Sequence, residues 1–105
     1  MVRVVDDALL QWFRDAWRCE FCGHATKAPT HPHHIYSRGA GRLDIRINLI
    51  ALGGAFCCNC HGLVHAGRIK REQLLKVVAL RERTTPEVIE AEVFRIRRLP
   101  KGSTL

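Results

Sequence analysis

Two short cysteine motifs set the terms on which this chain can fold: Cys19-Glu20-Phe21-Cys22 and Cys57-Cys58-Asn59-Cys60, with residues 23–56 between them. A chain of 105 residues buries too little apolar surface to be more than marginally stable, so a covalent or metal staple is expected. Each Cys-x-x-Cys can turn tightly enough to aim both sulfurs at one ion, and clipping a long loop is where a small domain gains most. The motifs therefore predict one structural zinc held by Cys19, Cys22, Cys57 and Cys60. Cys58 is the surplus thiol, read as a small buried apolar residue, and His24 is an alternative ligand that four thiols make unnecessary.

The competing reading of the cysteines is a pair of disulfides in a secreted domain. Against it, the opening MVRVVDDALL carries two aspartates where a signal peptide would be apolar, and a fifth cysteine is left over. Nor is there a run of about 18 apolar residues, so a cytoplasmic protein without a membrane segment is expected. Lys and Arg outnumber Asp and Glu by 17 to 10, a net charge of +7, which fits a polyanionic partner, DNA in the first place.

Periodicity places three longer helices. Leu9, Trp12, Phe13, Ala16 and Trp17 form one apolar stripe over 6–17, with both tryptophans read as core. A second helix over 71–83 turns Leu74, Leu75, Val77 and Val78 inward. A third, over 86–98, starts at the N-cap signal Thr85-Pro86-Glu87 and buries Ile89, Val93 and Ile96; the KGSTL end after Pro100 reads as frayed. Between the cysteine motifs the pattern predicts strands near 33–37 and 48–52, an exposed Gly-rich loop over RGAGRLD, and a short helix from Cys58 to His65.

The histidines carry the chemistry. His61 and His65 are four apart, so on a helix both project from one face. His33 and His34 are adjacent on a strand, so they point to opposite sides. This predicts that His33, His61 and His65 hold a catalytic divalent cation, leaving open positions, while His34 faces the place where a water would attack.

In order, His33-His34-Ile35, Asn48-Leu49 and the run from Cys57 to His65 resemble the HNH endonuclease family. The likeness covers residues 19–65 and is closest to the small phage HNH proteins with paired zinc knuckles, which have a Ser-Arg-Gly after the first strand, here Ser37-Arg38-Gly39. It implies a small α+β fold: a ββα-metal (His-Me finger) core over about 19–66, stapled by the four-cysteine zinc and flanked by the predicted helices, all one nuclease domain. It implies a metal-dependent DNA endonuclease or nickase of low sequence specificity, using Mg2+, Mn2+, Ni2+ or Zn2+. In this pattern His34 is the general base, Asn48 fixes the loop that orients it, and Arg38 touches phosphate. It further implies a phage-encoded monomer in the host cytoplasm, working beside a packaging terminase. Two features depart from the pattern: Leu52-Gly53-Gly54-Ala55-Phe56 replaces a direct step from Leu to Cys, and no acidic ligand stands beside His34. The alternative function is a non-catalytic zinc-ribbon module that binds DNA or protein. A redox role for the Cys-x-x-Cys units fits two such motifs and a basic charge less well.

Overall fold

The computed structural model describes residues 2–36, 42–100 and 102–103. Expectations for Ser37, Arg38 and Gly39, and for most of the KGSTL end, lie outside them. The architecture is α+β: α1 (Asp7–Arg14), β1 (His31–His34), a 3-10 turn at Arg46–Asn48, β2 (Leu49–Leu52), α2 (Cys60–His65), α3 (Arg71–Glu82) and α4 (Pro86–Arg97). No helix among the described residues is long and apolar enough to cross a membrane.

The two strands pair antiparallel, His31 opposite Leu52, Pro32 opposite Ala51, His33 opposite Ile50 and His34 opposite Leu49. β2 is buried at every position, as its unbroken Leu-Ile-Ala-Leu run requires of a strand covered on both sides. Leu49 and Ala51 pack with Leu10 and Phe13 of α1, whereas Ile50 and Leu52 join the larger core of Leu74, Leu75, Val78, Ile89, Val93 and Ile96. Because directly opposed residues share a face, His31 and His33 lie on the α3–α4 side of the hairpin and His34 on the α1 side.

β1 starts two residues earlier than its sequence pattern predicts, taking in Pro32. In a two-stranded sheet every strand is an edge, and an edge tolerates the missing proline N–H. The helices α3 and α4 match expectation closely. Lys70 N–H donates to Gln73 Oε1 at 2.8 Å at the start of α3, and the Thr85 hydroxyl accepts from Val88 N–H at the start of α4, satisfying donors a helix leaves unpaired.

The first helix is shorter than predicted, and its tryptophans are not core. Asp6 caps it by accepting from Leu9 N–H. At the other end Thr30 supplies partners for the last carbonyls, its hydroxyl donating to Phe13 O and its N–H to Arg14 O. The chain then leaves the helix through Trp17, whose φ is 51°, to enter the first cysteine turn. Leu10 and Phe13 take the buried places, while Trp12 and Trp17 remain 55% and 46% exposed. Trp12 instead offers its face to the Arg46 guanidinium, 5.1 Å from the ring centroid, a cation–π contact.

Burial assigns different weights to these neighbours. Phe13→Ala should lower unfolding free energy by about 3 to 5 kcal/mol, whereas Trp12→Ala should cost about 1 kcal/mol or less. Urea denaturation of the two variants checks both values, and equal losses would contradict the orientation of α1.

Candidate metal centres and the His34 dyad

The sulfurs of Cys19, Cys22, Cys58 and Cys60 all lie within 4.8 Å of one another. Zinc–sulfur bonds of about 2.3 Å put tetrahedral sulfurs roughly 3.8 Å apart, so this donor set fits a structural metal such as zinc. The electrostatics agree. Burial first, then hydrogen bonding and repulsion among the sulfurs, pushes up the Cys60 thiol, and burial pushes up Cys22, whereas at Cys58 burial is outweighed by the hydrogen bonds from Cys60, Cys22 and Cys19, which lower it. Four thiolates so crowded are compatible only around a cation.

The fourth ligand position corrects the sequence reading, which chose Cys57 and left Cys58 over. Cys57 N–H closes a turn onto Gly54 O, and Cys57 Sγ stands outside the four-sulfur cluster, accepting the Lys27 N–H at 3.1 Å. Asn59, with φ of 58°, bends the chain left-handedly between Cys58 and Cys60, a conformation Asn tolerates better than most residues. The single intervening residue therefore suffices to bring both sulfurs together. His24 stays exposed and takes part through its backbone, its carbonyl accepting from Cys19 N–H.

The departure Leu52-Gly53-Gly54-Ala55-Phe56 is absorbed as a turn. A Cβ on Gly53 would stand 2.6 Å from Cys58 Sγ, and one on Gly54 would stand 2.7 Å from His31 Nε2. Gly53 O also accepts from His61 N–H, tying the start of α2 to the end of β2.

The structure brings together His33, His61 and His65, whose ligand nitrogens fall within 4.8 Å of one another. Nε2 of His61 and Nε2 of His65 are 3.1 Å apart, close to the spacing of two cis nitrogens on one ion with bonds near 2.1 Å. An imidazole binds a metal through a lone pair lying in its ring plane. The three planes cross at 71° (His33–His61), 88° (His33–His65) and 83° (His61–His65), so none of the three rings is stacked flat on another. Burial, followed by repulsion from the neighbouring imidazoles, lowers His33 to about 4 and lowers His61 as well. Both are therefore neutral, ligand-ready bases near neutrality.

His34 diverges from His33 as the strand alternation requires. Its Nε2 lies 2.7 Å from Asp44 Oδ1. Asp44 is 1% exposed and receives, besides His34, the Asp6 N–H and a forked contact from Arg42. Burial alone would raise its pKa, but the hydrogen bonds from Arg42, Asp6 and His34 and the Arg42 charge outweigh it and hold the carboxyl at about 2. An ionised carboxylate can only accept, so His34 Nε2 carries a proton, and in the neutral ring the lone pair is then on Nδ1.

Asn48 is fully buried and spans the same region. Its Oδ1 accepts from Tyr36 N–H at 2.8 Å, and its Nδ2 donates to Leu43 O and Tyr36 O. It thus clamps both ends of the segment between the strands.

Sequence reasoning missed Asp44, taking RGAGRLD as an exposed loop, whereas Leu43 and Asp44 are buried. A signal was present in the alternation Leu43-Asp44-Ile45, and in Arg42 standing two residues away on the same side of an extended segment. Several basic side chains are engaged within the fold: Arg71 and Arg97 lie over the Tyr36 ring and Arg95 pairs with Glu92.

Two measurements test these assignments. Cys58→Ser should lose the tightly bound metal while Cys57→Ser retains one equivalent, read by native mass spectrometry. Asp44, held below its usual 3.8, should contribute about 2 kcal/mol of stability above pH 4 that disappears as pH falls through about 2. The stability gap between wild type and Asp44→Asn should therefore close over that interval in urea titrations.

No family model matches this chain, and neither a curated protein nor a solved structure matches it, so a functional reading rests on the geometry just described.

Proposed function

We propose that the chain is a metal-dependent DNA endonuclease that hydrolyses phosphodiester bonds with low sequence specificity. One observation carries this reading: His33, which joins His61 and His65 of α2 in a three-imidazole group, and a fourth imidazole, His34, come from successive positions of one strand. The fourth is held through Nε2 by the ionised Asp44. Metal-dependent hydrolysis needs both parts, a cation at the phosphate and a base kept off that cation.

His33, His61 and His65 would hold a divalent ion, which would supply positive charge where the phosphoryl oxygens accumulate negative charge. The protein's own groups do the rest. Asp44 accepts the Nε2 proton and fixes the tautomer, leaving Nδ1 of His34 to take a proton from water. The water oxygen bonds to phosphorus, the bond to the 3′ oxygen breaks, the departing oxygen takes a proton from solvent water, and 5′-phosphate and 3′-hydroxyl ends result, His34 returning its proton to solvent. The buried carboxylate stabilises the imidazolium that forms, as an orienting acid does in other histidine-based sites. His34 retains 13% side-chain exposure, enough for a solvent-side nitrogen. Asn48 keeps Tyr36 and Leu43 in place and so keeps Asp44 opposite His34.

The charge of +7 supports nucleic acid as substrate, with exposed Arg68, Lys70 and Arg98 as candidate phosphate contacts that carry no base information. The family likeness in the sequence agrees with this reading.

Supercoiled plasmid incubated with Mg2+, Mn2+ or Ni2+ should be nicked by the wild-type protein. His34→Ala should slow nicking by roughly 100-fold or more while binding the same metal. Plasmid left intact by the wild type with every ion would favour the non-catalytic zinc-bound module. Undiminished cleavage by His34→Ala would remove His34 from the chemistry.

A further inference from the structure

His31 belongs to neither cysteine nor histidine ligand group, yet it is in closest register with the second. It stands two residues before His33, on the same face of β1, opposite Leu52. Its ring lies flat on that of His61, with centroids 4.7 Å apart and planes only 10° from parallel. On another side it meets the backbone at Gly54, so closely that a Cβ there would come within 2.7 Å of His31 Nε2.

Ring stacking keeps His31 from sharing an ion with His61. With planes only 10° from parallel and centroids 4.7 Å apart, the two rings cannot both aim an in-plane lone pair at one nearby point. What a flat stack does instead is remove a freedom. The second side-chain torsion of histidine is broad and roughly two-fold, and α2 is too short to fix it by packing along its own length. Since His61 is half-buried, its ring would otherwise sample orientations in which Nε2 turns away from His65.

We propose that His31 is a positioning residue of the three-histidine site: backed by Gly54, its ring stacks on His61 and fixes the plane in which His61 Nε2 faces His33 and His65. The role rests on the reading that these three histidines hold a divalent ion. It also gives a reason for Gly54, since any larger residue would push His31 off the stack.

The test uses the full chain with its cysteine site loaded with zinc, and Ni2+ as probe, followed by calorimetry. Two variants separate ring from nitrogen: His31→Phe keeps a flat ring and no hydrogen-bonding atom, while His31→Gln keeps a polar side chain and no ring. Zinc content and far-UV circular dichroism report whether either variant is misfolded. Wild type should bind one Ni2+ at the second site, His31→Phe should bind within about threefold of wild type, and His31→Gln should bind about tenfold or more weakly, the usual scale for residues that orient metal ligands. His31→Gln binding as tightly as wild type, or His31→Phe losing as much as His31→Gln, would overturn the stacking role while leaving the metal site intact. Failure of the wild type itself to bind a second ion would overturn the site and this role together.

Discussion

Closure of the four sulfurs is the constraint from which the remaining geometry follows. Cys19 and Cys22 sit just after α1, and Cys58 and Cys60 sit at the threshold of α2. Once the two pairs are joined, the segment between them has its ends in one place and must double back, which it does as the β1–β2 hairpin. The start of α2 is then pinned to the end of β2 through the Gly53 carbonyl and His61 N–H. That is why two histidines of a six-residue helix reach one on a strand. No such helix would be stable alone; here its position is imposed from its first residue.

A second organising element is electrostatic. Asp44 is a buried anion satisfied from four directions of approach, by Arg42, Asp6 and His34, with Arg42 engaging it twice. The arrangement ties the entry of α1, the segment before the 3-10 turn and the end of β1 to one carboxylate. Burying a charge is costly unless it is so fully partnered. Each partner is thereby held as firmly as the carboxylate, and the tautomer of His34 follows from this network rather than from its own surroundings. A comparable set of contacts links Glu20 and Arg81, where the guanidinium also reaches Leu49 O and Arg46 O, bracing the hairpin against α3.

Much of this was legible before any coordinates. The heptad-like spacing of Leu74, Leu75 and Val78, and of Ile89, Val93 and Ile96, located α3 and α4, and the cap at Thr85 located their boundary. The i, i+4 pair His61 and His65, and the opposed neighbours His33 and His34, gave the composition of the histidine cluster. What escaped had physical causes. Ligand choice between Cys57 and Cys58 turns on one left-handed residue, Asn59, which spacing rules do not see. Trp12 and Trp17 satisfied the apolar period, but α1 ends at Arg14 and has only one buried stripe, which Leu10 and Phe13 fill. Asp44 and His31 were missed for a common reason: both depend on where an extended segment begins, and a Gly-rich stretch and a proline each concealed that start.

The consecutive glycines 53 and 54 give the protein an unusual mechanical economy. One leaves space for a cysteine sulfur and the next for an imidazole, so a single pair of peptide units forms the wall of two different chambers. The chambers therefore cannot drift apart or be reshaped separately. A disturbance that loosens the sulfur side is felt one residue later among the imidazoles, and the fold has in effect wired its cysteine cluster to its histidines across the shortest possible length of chain.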